Sequence, residues 1–395
     1  MRAMRMGPWG QLAIGWLSMF VVGTDLFVVS PLLPLIAGEY RLSAAAAGLC
    51  VTVFSLAYMV SAPLFGAIAD RVGRRRVLIY SLAVFAAANL LTAAAGNQTA
   101  LLAARLLAGA AAAGISPPVY ALVSAAAPPQ WRATRLAWVV SGLLVSLALG
   151  APIGELVASS IGWGPVFVAL ALASLALLWP NYHVWPRDQG SAYILRPLVD
   201  APTATIVAWR LVPMVLWSTA LYGVYTYLGA GLTAFGFSAE AIARAIICYG
   251  CGAIAGVLIG GRMADRLGAR FTAGIGMAGL CACLLVLRLA LDAGASVALA
   301  LGLTSAVAQL FFPAQQAGLA GDFPTRRATV LAWNNSALFL GIALGSLVGG
   351  QAVARAGFAA DLTICAGIAL VGCMITAIVV PGPARLAAGT ADDPA

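Results

Sequence analysis

Twelve apolar runs, most of them twenty residues or longer, leave little of this chain for water to solvate. They fall at roughly residues 11–37, 44–69, 77–96, 99–126, 134–160, 163–180, 210–235, 240–264, 270–291, 295–321, 327–352 and 358–381. A helix rises about 1.5 Å per residue, so a run of about 20 residues crosses a hydrocarbon core of about 30 Å. Only 9% of the 395 residues are charged, against about 25% in a soluble domain. Lipid offers no hydrogen bonds, so each run must satisfy its backbone internally. The reading is an all-α membrane protein with twelve transmembrane helices.

All 22 basic residues are arginine. With the N-terminus inside, 17 of them fall in cytoplasmic segments, four lie near outer ends (Arg41, Arg244, Arg288, Arg355), and Arg105 stays within the membrane. That asymmetry predicts cytoplasmic N- and C-termini. The net charge of +9 is spread over short loops and forms no continuous basic stripe, which argues against nucleic acid as a partner. The start, "MRAMRMGPWGQLAIGWLSMF", has the beginning of a signal peptide, but its apolar run continues past Asp25 to Ile36 and reads as an uncleaved first helix. Cys248 and Cys251 have redox or zinc spacing. No second pair or histidine lies within reach, His183 being the one histidine, so all seven cysteines read as small buried side chains. Neither a metal nor a cofactor is expected.

The chain also repeats itself. "GAIADRVGRRR" from Gly66 returns as "GRMADRLGAR" from Gly261, so that Gly66, Asp70, Arg71 and Gly73 match Gly261, Asp265, Arg266 and Gly268 at an offset of 195. The same offset joins Pro118 to Pro313, Pro129 to Pro324, "RATRLAW" at 132–138 to "RATVLAW" at 327–333, and Gly150, Gly154 and Gly162 to Gly345, Gly349 and Gly357. An even number of runs separates the copies, so they are parallel repeats about an axis along the membrane normal. The expected domains are an N-terminal six-helix bundle (1–180), a cytoplasmic linker (181–209) and a C-terminal six-helix bundle with a short tail (210–395).

These residues carry a resemblance. "GAIADRVGRRR" resembles the loop signature between helices 2 and 3 of the major facilitator superfamily, and the twelve-run layout is similar to that superfamily's two pseudo-symmetric bundles. "RLLAGAAAAG" from Arg105 resembles its basic helix-4 motif, and "LGAPIGELVASSIGW" resembles the signature of the drug/proton antiporter branch. That signature usually has Gly-Pro followed by paired glycines. Here Ala151 separates Gly150 from Pro152 and Glu155 replaces a small residue, closer to the form in exporters of sugars, nucleosides and related metabolites.

The motifs have physical readings. Asp70 ends the second run where a carboxylate can meet the positive N-terminal end of the eleventh, near Arg326, and so hold the inner side closed. Asp265 is expected to do the same near Arg132, with Arg71, Arg74 and Arg266 beside the two gates. Small residues at four-residue spacing let backbones approach closely in lipid. Gly252, Gly256 and Gly260 form one such stripe, and Ser146, Gly150 and Gly154, with Pro152, another. Their expected meeting is across the bundle interface, the fifth run against the eighth, with the second against the eleventh as symmetry mate. Pro31, Pro34, Pro117, Pro118 and Pro313 are candidate bending points.

Asp25 lies near the midplane, where an aspartate costs about 2.5–3.5 kcal/mol on insertion scales. A residue that costly faces a wet cavity or a partner. Arg105 reaches a similar depth, so the two form either an ion pair or neighbours in one cavity, with Asp25 as the proton carrier and Arg105 approaching it in part of the cycle. Glu155 is expected at the outer rim. The repeat position of Asp25 is Ala220, so the second bundle supplies other chemistry: Trp217, Tyr222, Tyr225, Gln309, Gln315, Asn334 and Asn335 suit an apolar pocket with a few orienting hydrogen bonds. No nucleotide loop or nucleophile–base pair occurs. The expectation is a monomeric, multi-pass transporter of a bacterial-type inner membrane, exporting a small, fairly lipophilic, drug-like solute by proton-coupled alternating access. An exporter of a sugar, nucleoside or amino acid derivative is the alternative, with a non-transporting receptor or intramembrane enzyme more remote.

Overall fold

The computed structural model describes residues 7–128, 132–186, 201–291, 297–323 and 327–379. Twelve helices are long and apolar enough to cross a membrane. Helices 1 to 3 are Pro8–Tyr40, Ala44–Val72 and Arg74–Ala93. Helix 4 comes in two pieces, Gln98–Ala113 and Ser116–Ala126. Helix 5 runs as Arg132–Val145, a π-helical turn over Ser146–Gly150, and Ala151–Ile161. Helices 6 to 9 are Gly164–Val184, Ala201–Ala234, Ala239–Leu267 and Ala269–Ala290. Helix 10 is again split, Val297–Ala308 and Phe311–Asp322. Helices 11 and 12 are Arg327–Ala356 and Phe358–Val379. Helix 6 extends to Val184 and helix 7 begins at Ala201, so helical turns occupy both flanks of the expected 181–209 linker, and 187–200 lie outside the described residues.

The repeat is written into the backbone. Positive φ occurs, among the described residues, at Arg41 and Gly236, at Gly73 and Gly268, and at Gly162 and Gly357, which are three pairs at the 195-residue offset. Ser43 and its mate Ser238 cap helices 2 and 8 by accepting from the amides of Ala46 and Ala241. The breaks in helices 4 and 10 follow from proline: the rings of Pro118 and Pro313 crowd the carbonyls four residues back, at Gly114 and Gln309, where the helix gives way. Pro152 does the same to Ala148, and helix 5 absorbs it as the π-turn. Pro31 and Pro34, expected to bend helix 1, sit inside an uninterrupted helix.

Polar side chains inside the helices mostly satisfy themselves. The hydroxyls of Ser18, Thr24 and Ser174 donate to the carbonyls of Ile14, Phe20 and Leu170, four residues back. Large apolar side chains instead cover the outside, among them Leu172, Leu289, Leu299 and Ile378. Such a surface suits lipid.

The small-residue stripes pack differently from the expectation. A Cβ on Gly252, Gly256 or Gly260 would fall 2.0, 2.1 or 2.7 Å from backbone atoms of Gly302, Ala306 or Leu310, so this stripe joins helix 8 to helix 10 within one bundle. Gly150 and Gly154 face Thr24 and Val28 of helix 1. Helix 5 meets helix 8 through the neighbouring face, Gly250 against Ala148, which lies within the π-turn. The mates in the other half behave alike: Gly345 packs on Thr219 and Gly349 on Gly223 of helix 7. The stripe spacing holds, but these stripes build each bundle, and close approach between the bundles falls to Gly250 and Gly229, against Ala148 and Pro31.

Candidate functional site

A cavity of about 100 Å³ lies between the bundles. The first bundle contributes Val22, Phe27, Phe54, Tyr58, Ser116, Tyr120, Val140 and Leu143, and the second Trp217, Tyr222, Gln309, Phe312, Asn335, Leu338 and Phe339. Among the described residues, no ionisable acid or base other than tyrosine lines it. Trp217 stacks on Phe311 at 5.4 Å, meets Tyr222 edge-on, and donates its indole N–H to the Ala308 carbonyl at 2.8 Å, at the break in helix 10. Tyr58 of helix 2 stacks on Phe339 of helix 11 at 3.6 Å, and its hydroxyl interacts with the side chains of Ser116 and Asn335. One wall is therefore aromatic, and one end carries a hydroxyl and amide cluster.

The predicted binding residues divide. Trp217, Tyr222, Gln309 and Asn335 line the cavity. Tyr225 lines a smaller neighbouring void with Phe27, Ser30 and Tyr222. Gln315 turns away and donates to the Arg210 carbonyl at 2.8 Å. Asn334 is buried off the cavity with its Oδ1 unpartnered. Sequence reasoning missed the residues from the first bundle, though the repeat held the signal. Subtracting 195 from Trp217, Tyr222, Asn335, Leu338 and Phe339 gives Val22, Phe27, Val140, Leu143 and Leu144, all lining the same space.

Asp25 and Arg105 form an ion pair. Nη1 of Arg105 donates to Oδ1 of Asp25 at 2.8 Å and Nη2 to the Asp25 carbonyl at 3.4 Å, with the side chains 0% and 1% exposed. The guanidinium also lies 4.7 Å from the Phe54 ring centre and 5.6 Å from that of Phe167. Oδ2 of Asp25 and Nε of Arg105 have no partner. The pair sits behind the cavity wall, since Leu26 and Phe27 line the cavity and Asp25 does not. Of the two arrangements open in the sequence, the closed pair is the one present. Glu155, expected at an outer rim, is buried. The π-turn changes the phase of the residues after it, which a regular helical reading of the sequence cannot anticipate.

For orientation, the end at which helix 1 begins is here the near end and the opposite one the far end. Hydrogen bonds from side chains of one bundle to the backbone of the other lie on the far side of the cavity, among the described residues. Ser30 donates to the Tyr225 carbonyl, and Tyr225 donates its hydroxyl to the Phe27 carbonyl at 3.1 Å. Pro31 has no N–H to offer that Phe27 carbonyl, so the tyrosine replaces the lost helix bond. Further out, Ser346 donates to the Gly48 carbonyl at 2.7 Å while Tyr227 donates to the Ser346 carbonyl at 2.8 Å. Of the gate residues, Gly73 caps helix 2 at φ 100°, Gly66 has nothing within 4 Å of a Cβ, and Arg71, Asp265 and Arg266 are exposed. Arg74 is half-buried. The side chains of Asp70 and Arg132, and residue Arg326, lie outside the described residues. The described residues hold no metal-ligating cluster, and the seven cysteines are free thiols.

Two six-helix bundles around a cavity, in a chain with twelve helices long and apolar enough to cross a membrane, have the architecture of a membrane transporter, and the family confirms a transporter and not an enzyme. The chain belongs to the Major Facilitator Superfamily, whose sequence model matches residues 15–238 and 218–394. It is 29% identical over 346 residues to the uncharacterized MFS-type transporter YceJ of Bacillus subtilis, covering 84% of this chain and 86% of that one. It is 28% identical over 264 residues, 66% of each chain, to the inner membrane transport protein YdhP of Escherichia coli. The crystal structure of a D-xylose–proton symporter superposes with a TM-score of 0.79 over 94% of this chain and 98% of that one, at 17% identity, a likeness of fold.

Proposed function

We propose that this transporter exports a small, fairly lipophilic solute across a bacterial inner membrane in exchange for protons, with Asp25 as the proton carrier. The observation that carries the reading is the sealed Asp25–Arg105 pair directly behind an aromatic cavity with no charged side chain among its described lining. Two charges inside a bilayer are costly unless paired, and such groups mark ion pathways. Protonating Asp25 cancels its attraction for Arg105, and the guanidinium is left on the Phe54 and Phe167 rings. Phe54 lines the cavity, and Leu26 and Phe27 adjoin Asp25 on helix 1. Movement at the pair is thereby felt by the solute.

The cavity is smaller than the roughly 300–1,000 Å³ of ligand sites for drug-sized molecules. A solute of that size therefore requires the walls to separate, and the Tyr58–Phe339 stack is one of the ring contacts between the bundles that would part. The arginine asymmetry supports placing the near end and both termini in the cytoplasm. In that orientation this conformation is closed toward the outside. The exposure of Asp265 and Arg266 fits an inner gate that is not engaged at the Asp265 motif. A second reading, export of a sugar, nucleoside or amino acid derivative, is favoured by the Tyr58, Ser116, Gln309 and Asn335 cluster, which suits a solute rich in hydroxyls.

The test is a solute panel in proteoliposomes with an imposed pH gradient, comparing neutral aromatic compounds with sugars and nucleosides. Uphill movement of the aromatic compounds, lost in Asp25→Asn while downhill exchange persists, is expected. Gradient-driven transport by the variant at the wild-type rate refutes the role of Asp25. Uptake of sugars or nucleosides alone would move the assignment to the second reading.

A further inference from the structure

The proton pathway proposed above uses one buried carboxylate, and the second bundle holds another. Asp361, in the first turn of helix 12, is 0% exposed. Its Oδ1 receives a thiol at 3.4 Å from Cys365, one turn along the same helix, and its Oδ2 has no partner. Sulfur–hydrogen donors are weak, so this contact compensates little of the cost of burying a charge.

Helix 12 packs on helices 7, 9 and 11. Helix 7 brings Tyr227 against Asp361, and Cys50 of helix 2 lies beyond that ring. Helix 9 carries Arg288 in its last turn and helix 11 carries Arg355 in its own, and neither forms an ion pair with Asp361 among the described residues. The situation is thus the opposite of Asp25, which has an arginine at 2.8 Å.

The position of Asp361 connects it to the far-end closure. A Cβ on Gly349 would lie 3.1 Å from Oδ1 of Asp361 and 3.0 Å from Cδ2 of Tyr227, so helices 7, 11 and 12 converge through that glycine. The Tyr227 hydroxyl then fills the space left by Gly48 of helix 2 and Gly350 of helix 11, where added Cβ atoms would fall 1.7 and 2.5 Å from it. Tyr227 also anchors the Ser346 carbonyl, and Ser346 bonds across the interface to Gly48. Asp361 is accordingly one side chain removed from the contact that joins the bundles.

We propose that Asp361 is a second proton-binding carboxyl, which keeps its proton while the far end is sealed and whose ionisation opens that seal. In the first turn of helix 12 the amide end of the helix offsets part of the cost of a carboxylate, and the remainder falls to water, which reaches it when Tyr227 leaves Gly48 and helix 11 separates from helix 2. The step is one proton leaving the carboxylic acid for the far-side solution, with no other bond made or broken. It acts through the seal and does not depend on Asp25 being the carrier.

Infrared titration of the full-length protein in lipid bilayers reads the proton directly. A protonated carboxylic acid C=O stretch is expected that disappears in Asp361→Asn and persists in Asp25→Asn. Cys365→Ser gives the carboxylate a stronger hydroxyl donor and is expected to move the loss of that band to lower pH. Hydrogen exchange of the seal segments 45–52 and 345–352 reads the consequence. Wild type and Asp361→Asn should exchange alike at low pH. Their ratio should rise by up to about tenfold per pH unit between the midpoint of the carboxyl in the open state and its higher midpoint in the sealed state, and level off above the latter, because one proton links opening to pH and the asparagine cannot ionise. A band unaffected by Asp361→Asn, a midpoint unmoved by Cys365→Ser, or an exchange ratio flat with pH would each overturn the proposal.

Discussion

Removing one member of the Asp25–Arg105 pair should cost more than removing both. At 2.8 Å, and with an effective dielectric constant of about 20, the attraction between unit charges is about 6 kcal/mol. Insertion of an aspartate and an arginine at mid-membrane costs about 3 kcal/mol each. The pair therefore adds almost nothing to net stability. Asp25→Asn gives up the whole attraction but recovers only the aspartate's share of the cost, a loss of about 3 kcal/mol, and Arg105→Gln loses about as much. These figures agree with the roughly 3–5 kcal/mol measured when buried pairs are broken one-sidedly. The double variant gives up the attraction and both costs together, so its stability should lie within about 1 kcal/mol of wild type. Denaturant titration of the four proteins in lipid–detergent mixtures measures the cycle. A double variant destabilised by the sum of the singles, about 6 kcal/mol, would show that the two side chains are not coupled and that the argument from pairing is wrong.

Three further outcomes follow from the packing. A cysteine at Gly302, whose Cβ would lie 3.5 Å from that of Cys248, should crosslink to it whatever the conformation, since helices 8 and 10 meet inside one bundle, whereas cysteines at Tyr58 and Phe339, which stack across the bundles, should be joined by a short bifunctional thiol reagent only while the bundles are closed there. Conformation-independent joining of the second pair would contradict a moving interface. Tyr225→Phe leaves the Phe27 carbonyl without the hydroxyl that replaces its helix bond, a loss of about 1 kcal/mol in the sealed state, so accessibility of the far half of the path to a membrane-impermeant thiol reagent should rise about fivefold. An unchanged rate would mean that Pro31 and Tyr225 are not coupled. Asn335→Ala removes one polar group from the cavity's amide and hydroxyl cluster, so it should weaken a sugar or nucleoside by about tenfold and an aromatic hydrocarbon hardly at all, with competition binding in lipid nanodiscs deciding between the two readings of the solute.

The fold was legible because its determinants are local. Twelve runs, the serine caps, the prolines that split helices 4 and 10 and the glycines at positive φ are all visible residue by residue, and the repeat doubles each signal. The site was legible only in part. Asp25 and Arg105 stood out because charges are scarce in the runs, and Trp217, Tyr222, Gln309 and Asn335 because polar and aromatic groups are conspicuous there. Which face a helix turns inward is a different matter, because in lipid both faces are apolar and periodicity loses its contrast. Hence Gln315 and Asn334 turned away from the cavity, and the glycine stripe of helix 8 faced helix 10. Glu155 shows a further obstacle, since one π-turn upstream shifts the helical phase. Tyr58 and Asp361 were hidden for other reasons: Tyr58 is one of ten tyrosines, and Asp361 stands three residues from the end of its run, where a charge costs little.

The contact between Ser30 and Tyr225 joins residues that occupy the same place in the two copies. A residue that touches its own equivalent lies on the two-fold axis, as it would in a dimer of identical chains. In such a dimer both partners must be one amino acid, and a small residue on each side leaves a gap while a large one on each side collides. Fusing the two copies into one gene lifted that restriction. One position could then become a short hydroxyl, the other a tyrosine, and the tyrosine could reach the carbonyl left open by Pro31 on the opposite copy. A lock centred on the axis is thus available to a duplicated chain in a form that its single-copy ancestor could not have encoded.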